Sequence, residues 1–337
     1  MFAKIKAISS YLPETVEKNS ELVDKRFIKK LGIVERHIAT KEESASDISI
    51  KAAEKLFAEY NIDKNETDFI LLCTQQPDYL LPHTAVFVQD KLNLAHSVGS
   101  MDINLGCSGY IYGLATAKGL IETGVAKKIL FITSSLYSKY INKKDLASRP
   151  ILGDGATATW IEADKNSEES LRAFVFGTDG AGYKDLYIPV SGSRFMPHDV
   201  PEEFYTDENN NYRSNYEFVM DGKAIANFIL DKVPRLVDDV LNLANLTRAD
   251  LNYCFFHQAN KFMNDYVQIK SGLENVPFFN DLATTGNLAS GSVPYGIEQT
   301  LKNVDAKNLK NVLLAGFGVG LSWAGCIADL SDMWKKF

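Results

Sequence analysis

Cys107 is the residue of this chain best placed to act as a nucleophile. It follows the apolar run "MDINLG" and precedes a helical pattern, "SGYIYGLATAKGLIETG". A helix N-terminus carries unpaired N–H groups and the positive end of the helix dipole, and both favour a thiolate. We therefore expect the pKa of Cys107 to lie below the value of about 8.5 of a free cysteine. A buried structural cysteine is the alternative, because free cysteines are commonly buried.

Two polar residues in the second half of the chain also lie at predicted strand ends or turns. His257 ends the run "YCFFH" and is the one histidine of five at the carboxyl end of a predicted central strand. Asn287 lies in "TTGNLASGS", a glycine-flanked turn before a helical pattern. A hydrogen-bonded strand-end histidine and a turn or N-cap asparagine are the structural alternatives.

A glycine-rich segment, "GFGVGLSW" at 316–323, joins two predicted strands near the C-terminus. No helix follows it, so it does not have the form of a dinucleotide-binding loop. Such a turn can instead direct a backbone N–H at a developing oxyanion. A plain tight hairpin explains the glycines equally well at this point.

The predicted elements that position these residues occur in the same order twice. The first half reads strand "DFILLCTQQ", helix "TAVFVQDKLNL", strand "SMDINL", helix "SGYIYGLATAKGLIETG", strand "KKILFITSS" and strand "GDGATATWIEA". The second half reads strand "NYCFFHQ", helix "NKFMNDYVQIKSGL", strand "VPFFND", helix "SGSVPYGIEQTLKN", strand "KNVLLAGFG" and strand "LSWAGCIADL". This alternation predicts an α/β fold with mostly parallel sheets covered by helices.

The repeated order indicates a duplicated unit, although any long α/β chain shows some alternation. If the duplication is real, "LGCSG" and "TTGNLASGS" occupy equivalent turns, each between the second strand and second helix of its half. Ligands of open α/β sheets bind beyond the carboxyl ends of the strands. The two turns would then face each other across one shared site. The polar segment 190–217, punctuated by Gly, Pro and Asn, is predicted to be an irregular excursion between the halves.

Composition narrows the class of protein. The 337 residues, 45% hydrophobic and 23% charged, suffice for two packed halves. The net charge of −7 disfavours nucleic acid as a partner, and no apolar run approaches the length of a membrane span. The N-terminal segment is too short and polar for a signal peptide. The four cysteines are scattered, without a CxxC pair, which predicts no zinc or disulfide framework and a cytoplasmic location.

Eight segments, taken in order, resemble one family. They are "GIVERHIA", "QPDYLLPHTAVFVQ", "DINLGCSGYIYGL", "ILGDGATA", "FVMDGKAIANF", "FFHQANKFM", "TGNLASGSVP" and "AGFGVGLSWAG". Together they resemble the thiolase-like condensing enzymes, specifically the ketoacyl-acyl-carrier-protein synthase III family. The resemblance implies a layered α/β/α/β/α fold of two duplicated halves, which we place at 1–175, carrying the cysteine, and 176–337, carrying the histidine and asparagine.

The resemblance also implies the chemistry. Cys107 would take an acyl group from a thioester, and His257 and Asn287 would hydrogen-bond the thioester carbonyl of a malonyl group as it loses CO₂. The backbone N–H groups of Cys107 and of the Gly318–Val319 turn would bind the tetrahedral oxyanion. The expected substrates are acyl-CoA or acyl-carrier protein as donor and malonyl-acyl-carrier protein as acceptor. No metal or cofactor is expected, and the family implies a homodimer.

Several expected substrate-binding positions depart from the family pattern. The family binds coenzyme A with a Trp and an Arg, and this chain has Arg26 and Lys30 at those two positions. A further Arg of the family corresponds to Leu146, although Arg149 is near in sequence. Phe262 stands where the family has an Arg after the HQAN motif, an Arg that the family uses for carrier-protein docking. The adenine platform is therefore missing, while positive charge persists.

Three more positions complete the expected site. Asn260 of the HQAN motif is expected to contact substrate. Leu81 stands where the family often has a Phe that reaches across the dimer into the acyl pocket, which suggests a longer or different acyl primer. Val319 replaces the middle glycine of the last turn and would be strained if that position required a positive φ.

Other functions remain open at this stage. Elongating ketosynthases use a second histidine where Asn287 stands, and thiolases need a second cysteine in the C-terminal glycine-rich turn, which is absent here. An acyl transferase or thioester hydrolase could use the same acyl-cysteine without decarboxylation, and a condensing enzyme of a secondary-metabolite pathway is a further alternative. A non-catalytic partner subunit is disfavoured, because such a protein would normally have lost one of the three site residues.

Overall fold

The computed structural model describes residues 1–165, 168–208 and 211–336. The strands of these residues are β1 (Phe2–Tyr11), β2 (Thr15–Lys18), β3 (Glu35–Ile38), β4 (Phe69–Cys73), β5 (Gly99–Ile103), β6 (Lys128–Ser135), β7 (Gly155–Asp164), β8 (Leu171–Thr178), β9 (Leu186–Tyr187), β10 (Phe204–Thr206), β11 (Tyr212–Ser214), β12 (Val219–Met220), β13 (Tyr253–Phe256), β14 (Val312–Gly318) and β15 (Ser322–Ala328). The α-helices are α1 (Lys25–Leu31), α2 (Ala45–Tyr60), α3 (Ala85–Lys91), α4 (Gly109–Glu122), α5 (Gly222–Ala244), α6 (Lys261–Lys270) and α7 (Ser292–Thr300).

Two mixed sheets form the framework. The first has the order β1-β7-β6-β4-β5, and the second has the order β13-β14-β15-β8. In the first sheet β4 pairs in parallel with β5 and β6, whereas β7 runs antiparallel to β1 and β6. In the second, β13 and β14 are parallel, and β15 runs antiparallel to β14 and β8. Each half places its antiparallel strands in corresponding positions, as the repeated order predicts. The expectation of mostly parallel sheets is wrong, because only three of the seven pairings in these two sheets are parallel. The last two strands of each half follow one another without an intervening α-helix and pair antiparallel.

The segment "VPFFND", predicted to be a strand, is the exception. It forms a single parallel bridge between Cys254 and Phe278 at the place where β5 pairs with β4 in the first sheet. The bridge has only two backbone hydrogen bonds, from Cys254 N to the Pro277 carbonyl and from Phe279 N to the Cys254 carbonyl. Pro277 has no N–H, which limits how far this ladder can extend.

The sheets and helices stack in five layers. Helices α4 and α7 lie between the sheets, where residues of both helices and both sheets form one continuous core. Helices α2 and α3 cover the outer face of the first sheet, and α5 and α6 cover the outer face of the second. This is the expected α/β/α/β/α arrangement. None of the helices that the structure describes is long and apolar enough to cross a bilayer.

The boundary between the halves differs from the predicted one. The chain leaves the first sheet at Asp164 and enters the second at Leu171, so the boundary expected at 175/176 falls inside β8. The sequence pattern misplaces it because β8 was not recognised as a strand. The excursion 190–217 consequently lies within the second half, between β8 and α5, and contains the β10–β11 hairpin. Residues 209 and 210 of the excursion, and 166, 167 and 337 of the predicted halves, lie outside the described residues.

Two glycines of α4 give a test of how tightly the central layer packs. A Cβ on Gly113 would lie 2.0 Å from the ring of Phe131, which is fully buried and stacked on Tyr110, whereas nothing lies within 4 Å of a Cβ on Gly119. We expect Gly113→Ala to lower the free energy of unfolding by about 1–3 kcal/mol through overpacking. Gly119→Ala should raise it by up to about 1 kcal/mol, because alanine favours the helix.

Denaturant unfolding of the two variants and the wild type measures both effects. The substitutions are chemically identical and lie in one helix, so their difference isolates the contact with Phe131. Equal stability of the two variants would contradict the packing described here.

Candidate active site

One cavity of about 270 Å³ brings Cys107, His257 and Asn287 together. Cys107 lies in the turn between β5 and α4, His257 directly follows β13, and Asn287 lies in the loop that precedes α7. All three therefore come from the carboxyl-end side of the sheets, as predicted. The two halves contribute to the same cavity.

His257 is buried and held by two backbone carbonyls. Its N–H donates to the Ala315 carbonyl of β14 at 2.8 Å, and its ring Nδ1 lies 3.1 Å from the Ala289 carbonyl. A carbonyl only accepts, so Nδ1 carries the proton and Nε2 of the neutral ring presents a lone pair. Burial lowers the pKa of His257 to about 4, against a smaller opposing contribution from the Ala289 carbonyl. The His257 imidazole is therefore neutral near pH 7.

Asn287 is oriented by its own backbone and by the start of the next turn. Its N–H donates to the Ile151 carbonyl at 2.9 Å, and its carbonyl accepts from Gly153 at 3.1 Å. Its side-chain Oδ1 accepts from Ala289 N at 2.8 Å. These contacts leave the Nδ2 group facing the site, 3.5 Å from His257 Nε2. Asn287 thus supplies a fixed donor, which is more than the turn or cap role alone requires.

The sequence-based expectation for the pKa of Cys107 is wrong in direction. Burial raises the pKa to about 12, and the backbone N–H groups of Val319 and of Cys107 itself lower it only in part. Cys107 is 8% exposed, and α4 begins two residues later, at Gly109. The loss of hydration in this apolar cavity outweighs the nearby N–H groups, so the thiol of Cys107 is neutral before substrate binds.

The glycine-rich turn packs directly against the nucleophile. A Cβ on Gly318 would lie 2.8 Å from Cys107 Sγ, so only glycine permits this approach. Val319 is not among the residues with a positive φ, and the turn places Gly320 there instead, at φ 145°. The substitution of valine for the family's glycine therefore introduces no backbone strain, and the Val319 N–H still points at the thiol.

Three predicted substrate-binding residues line the cavity near its mouth. Lys30 and Phe262 face each other, with the Lys30 Nζ 5.3 Å from the centre of the Phe262 ring, which is half exposed. Asn260 lines the cavity too, but its Oδ1 accepts from Met263 N at 2.9 Å and caps α6. Its role is at least partly structural.

Two other predicted residues do not line the cavity. Arg149 forms hydrogen bonds to both carboxylate oxygens of Glu17 and to the Lys143 carbonyl. Burial alone would raise the pKa of Glu17, but the hydrogen bonds from Arg149 and Arg36 outweigh it and hold that pKa low. Leu81 is 83% exposed and lies away from the cavity of its own chain.

Sequence reasoning missed the residues that close the cavity. Leu186 of β9 precedes the excursion, Phe218 and Met220 directly follow it, and Tyr137 follows β6. The Tyr137 and Phe218 rings pack edge to face with centroids 5.4 Å apart. The family motif "FVMDGKAIANF" contains Phe218 and Met220 but did not mark them as site residues, and no motif marked Leu186 or Tyr137. Their places at the cavity depend on how segments distant in sequence pack together.

The comparisons with known proteins agree with this arrangement. The fold has two sheets with helices between and outside them, and one cavity holds a cysteine, a histidine and an asparagine. This combination defines a thiolase-like condensing enzyme. Family models for 3-oxoacyl-[acyl-carrier-protein] synthase III and for its C-terminal part match residues 101–180 and 241–330. The chain belongs to the 3-oxoacyl-[acyl-carrier-protein] synthase III family, the condensing acyltransferases of fatty acid biosynthesis.

The relatives extend over the whole chain. A β-ketoacyl-[acyl-carrier-protein] synthase III 2 of Staphylococcus epidermidis is 35% identical over 97% of this chain and 98% of its own length. A solved 3-oxoacyl-(acyl-carrier-protein) synthase III is 37% identical, with a TM-score of 0.93 over 98% of this chain and 100% of that one. A synthase from Burkholderia xenovorans is 32% identical, with a TM-score of 0.89 over 99% of this chain and 95% of that one.

The raised pKa of Cys107 predicts how the rate of its alkylation by iodoacetamide depends on pH in the substrate-free enzyme. Below the pKa the neutral thiol predominates, and the reactive thiolate fraction grows about tenfold per pH unit. We expect the alkylation rate of Cys107 to rise in this way from pH 7 to pH 9 without levelling off. Mass spectrometry of the alkylated protein measures the rate, and Cys107→Ala gives the background from the three other cysteines, all fully buried. A plateau below pH 8 would show a thiolate at neutral pH instead.

Proposed function

We propose that Cys107 is the nucleophile of this condensing enzyme and becomes acylated in the first half-reaction. The observation that carries the proposal is the shared cavity, in which the thiol, the His257 imidazole and the Asn287 amide meet. Cys107 Sγ attacks the donor thioester carbonyl, and His257 Nε2 accepts the thiol proton. The N–H groups of Cys107 and Val319 stabilise the tetrahedral oxyanion. Collapse expels the donor thiolate, which takes the proton back from His257.

In the second half-reaction a malonyl thioester loses CO₂ beside the acyl-cysteine. Negative charge then develops on the thioester oxygen, and the Asn287 Nδ2 group donates to it. Because Nδ1–H of His257 is committed to Ala289, Nε2 can donate as well only after it takes up a proton from solvent, which the growing negative charge favours. This is the one proton that decarboxylative condensation consumes. The enolate carbon attacks the acyl carbonyl and forms the new C–C bond. The Cys107 thiolate leaves and takes the proton from His257, which restores the resting site.

The site also supports the expected substrate classes. The family uses acyl-CoA and malonyl-acyl-carrier protein, and we propose the same kinds of thioester here, with the donor held either by coenzyme A or by a carrier protein. Lys30 and Phe262 at the mouth supply one positive charge and one exposed ring. Arg149 is occupied by Glu17, so it does not offer a free cation to a nucleotide phosphate in this arrangement.

Labelled malonyl-carrier protein separates condensation from plain acyl transfer. With an acyl donor present, we expect the wild type to release ¹⁴CO₂ from the malonyl carboxyl and to form a β-ketoacyl thioester. Cys107→Ala should lose the acyl adduct and condensation by roughly a thousandfold or more. Asn287→Ala should keep the adduct but lose roughly 100-fold to 1000-fold in CO₂ release, because it removes one donor to the enolate.

Each alternative gives a different result in this assay. Thioester turnover without CO₂ release would favour a hydrolase or simple acyl transferase. Full acyl transfer by Cys107→Ala would show that the covalent mechanism is wrong.

We propose further that the enzyme is a cytoplasmic homodimer that pairs through the edge of its first sheet. Strand β5 is the outermost strand of that sheet, and its Met101 side chain is exposed. Tyr79, Leu80 and Leu81 form an exposed apolar loop, each at least 60% exposed. A second copy would pair with the edge strand and cover these side chains. Leu81 of one chain would then reach the acyl pocket of the other.

Substitution of Leu81 tests whether its side chain enters the acyl pocket of the partner subunit. We expect Leu81→Phe to shift acyl-donor preference toward shorter chains, because a larger ring would fill the partner's pocket. Leu80→Phe, at the equally exposed neighbouring position, is the matched control and should leave the preference unchanged. Intact-protein mass spectrometry after incubation with an acyl-CoA series gives the preference. Identical profiles for wild type and Leu81→Phe would contradict a role for this side chain in the pocket.

A further inference from the structure

Tyr137 and Gln75 form a polar pair that the condensation mechanism does not use. Tyr137 lies just after β6 and lines the active-site cavity together with Cys107. Its hydroxyl donates to Gln75 Oε1 at 2.6 Å. Apolar side chains, including those of Ile141, Leu152 and Phe218, pack around Cys107 and Tyr137. A hydrogen-bonded pair in such surroundings is costly unless all its polar groups find partners.

The pair lies directly beside the nucleophile's backbone. A Cβ on Gly106 would lie 2.7 Å from Gln75 Oε1 and 3.2 Å from the Tyr137 hydroxyl. These two polar groups therefore occupy the space that a side chain on the residue before Cys107 would fill. Tyr137 also lines the active-site cavity, so an acyl group carried by Cys107 would lie near the Tyr137 side of this pair.

The surroundings keep the pair neutral and in place. Burial raises the pKa of Tyr137, and the neighbouring Cys107 adds to the effect, so the phenol keeps its proton. The ring packs against Phe218, and Leu136 N donates to the side-chain Oε1 of the adjacent Gln76 at 3.1 Å. The hydroxyl and the amide are thus positioned before any substrate arrives.

The pair retains unused hydrogen-bonding capacity on both members. After donating its proton to Gln75, the Tyr137 oxygen also has a hydrogen bond to the Gln76 side chain and keeps one further lone pair. Gln75 Nε2 has two N–H groups, and the residues described here (1–165, 168–208 and 211–336) include no hydrogen bond from that nitrogen. Exchange of O and N in the Gln75 amide would reverse the bond, but it would still leave one donor and one acceptor. A hydroxyl, which both donates and accepts, complements this arrangement.

We propose that Tyr137 and Gln75 select an acyl group with a hydroxyl substituent near the thioester, in preference to the unsubstituted alkyl group of the same length. The inference rests on the proposed acyl-cysteine at Cys107 and adds the class of acyl donor. Tyr137 is a specificity-determining residue here, since the reacting atoms do not require it. An alkyl chain would leave the spare donor and the spare acceptor of the pair unsatisfied. The hydroxyl of a hydroxyacyl chain would form hydrogen bonds with both.

A competition between donors tests the proposal. The protein is incubated with equimolar butyryl-CoA and either 2-hydroxybutyryl-CoA or 3-hydroxybutyryl-CoA, and the adducts on Cys107 are quantified by intact-protein mass spectrometry at early times. We expect at least one hydroxybutyryl adduct to form roughly tenfold to hundredfold faster than the butyryl adduct. Tyr137→Phe keeps the ring against Phe218 but removes the hydroxyl, and Gln75→Leu removes the amide. Each should bring the ratio close to one.

The ratio of hydroxybutyryl to butyryl adducts distinguishes recognition of the hydroxyl by Tyr137 from a merely structural role of Tyr137. Tyr110→Phe is the matched control, because it removes another buried hydroxyl, bonded to Thr159, in the helix that follows Cys107. It should keep the wild-type ratio. General loosening of the site slows both donors together and leaves the ratio unchanged, so an unchanged ratio in Tyr137→Phe overturns the proposal. A wild-type preference for butyryl-CoA, or none, overturns it as well, while the acyl-cysteine stands. No adduct from any donor would contradict the proposed nucleophile itself.

Discussion

The packing of α4 and α7 between the two sheets is the constraint on which the site depends. Both helices contribute to the single core that joins the sheets, so neither can shift without disturbing both halves. Cys107 precedes α4 and Asn287 precedes α7, and the parallel bridge between Leu152 and Asn287 ties the asparagine loop to the first half. Positions 180 residues apart in sequence are thereby held at one cavity. Catalytic geometry in this protein follows from the central layer.

The same burial sets the resting protonation state. Excluding water from the cavity raises the pKa of Cys107 and lowers the pKa of His257, so both groups are neutral before substrate binds. A neutral thiol beside a neutral imidazole can transfer its proton when an acyl donor arrives, and the charges then formed lie next to the N–H groups that stabilise them. In the proposed mechanism the reactive charge therefore forms only during the reaction, which protects the thiol in between.

The segment that follows the excursion links this chemistry to the proposed substrate choice. Its Phe218 packs against Tyr137, and Tyr137 in turn forms a hydrogen bond to Gln75 beside the backbone of Gly106. The mouth of the cavity is formed separately, by Lys30 of α1 and Phe262 of α6. In the proposed scheme, donor delivery and acyl selection therefore involve different parts of the chain.

Much of this protein could be read from local sequence. The periodicity of apolar residues predicts eleven of the twelve elements in the repeated pattern, and it fails at "VPFFND", where Pro277 limits pairing. The positions of Cys107, His257 and Asn287 at strand ends and turns are also local properties, and they indicated a shared site.

Tertiary structure alone decided the rest. A pKa depends on hydration and on neighbours remote in sequence, so the helix N-terminus near Cys107 could not reveal that burial outweighs it. The pairing of Arg149 with Glu17 and the approach of Tyr137 to Gly106 likewise arise only when distant segments pack together.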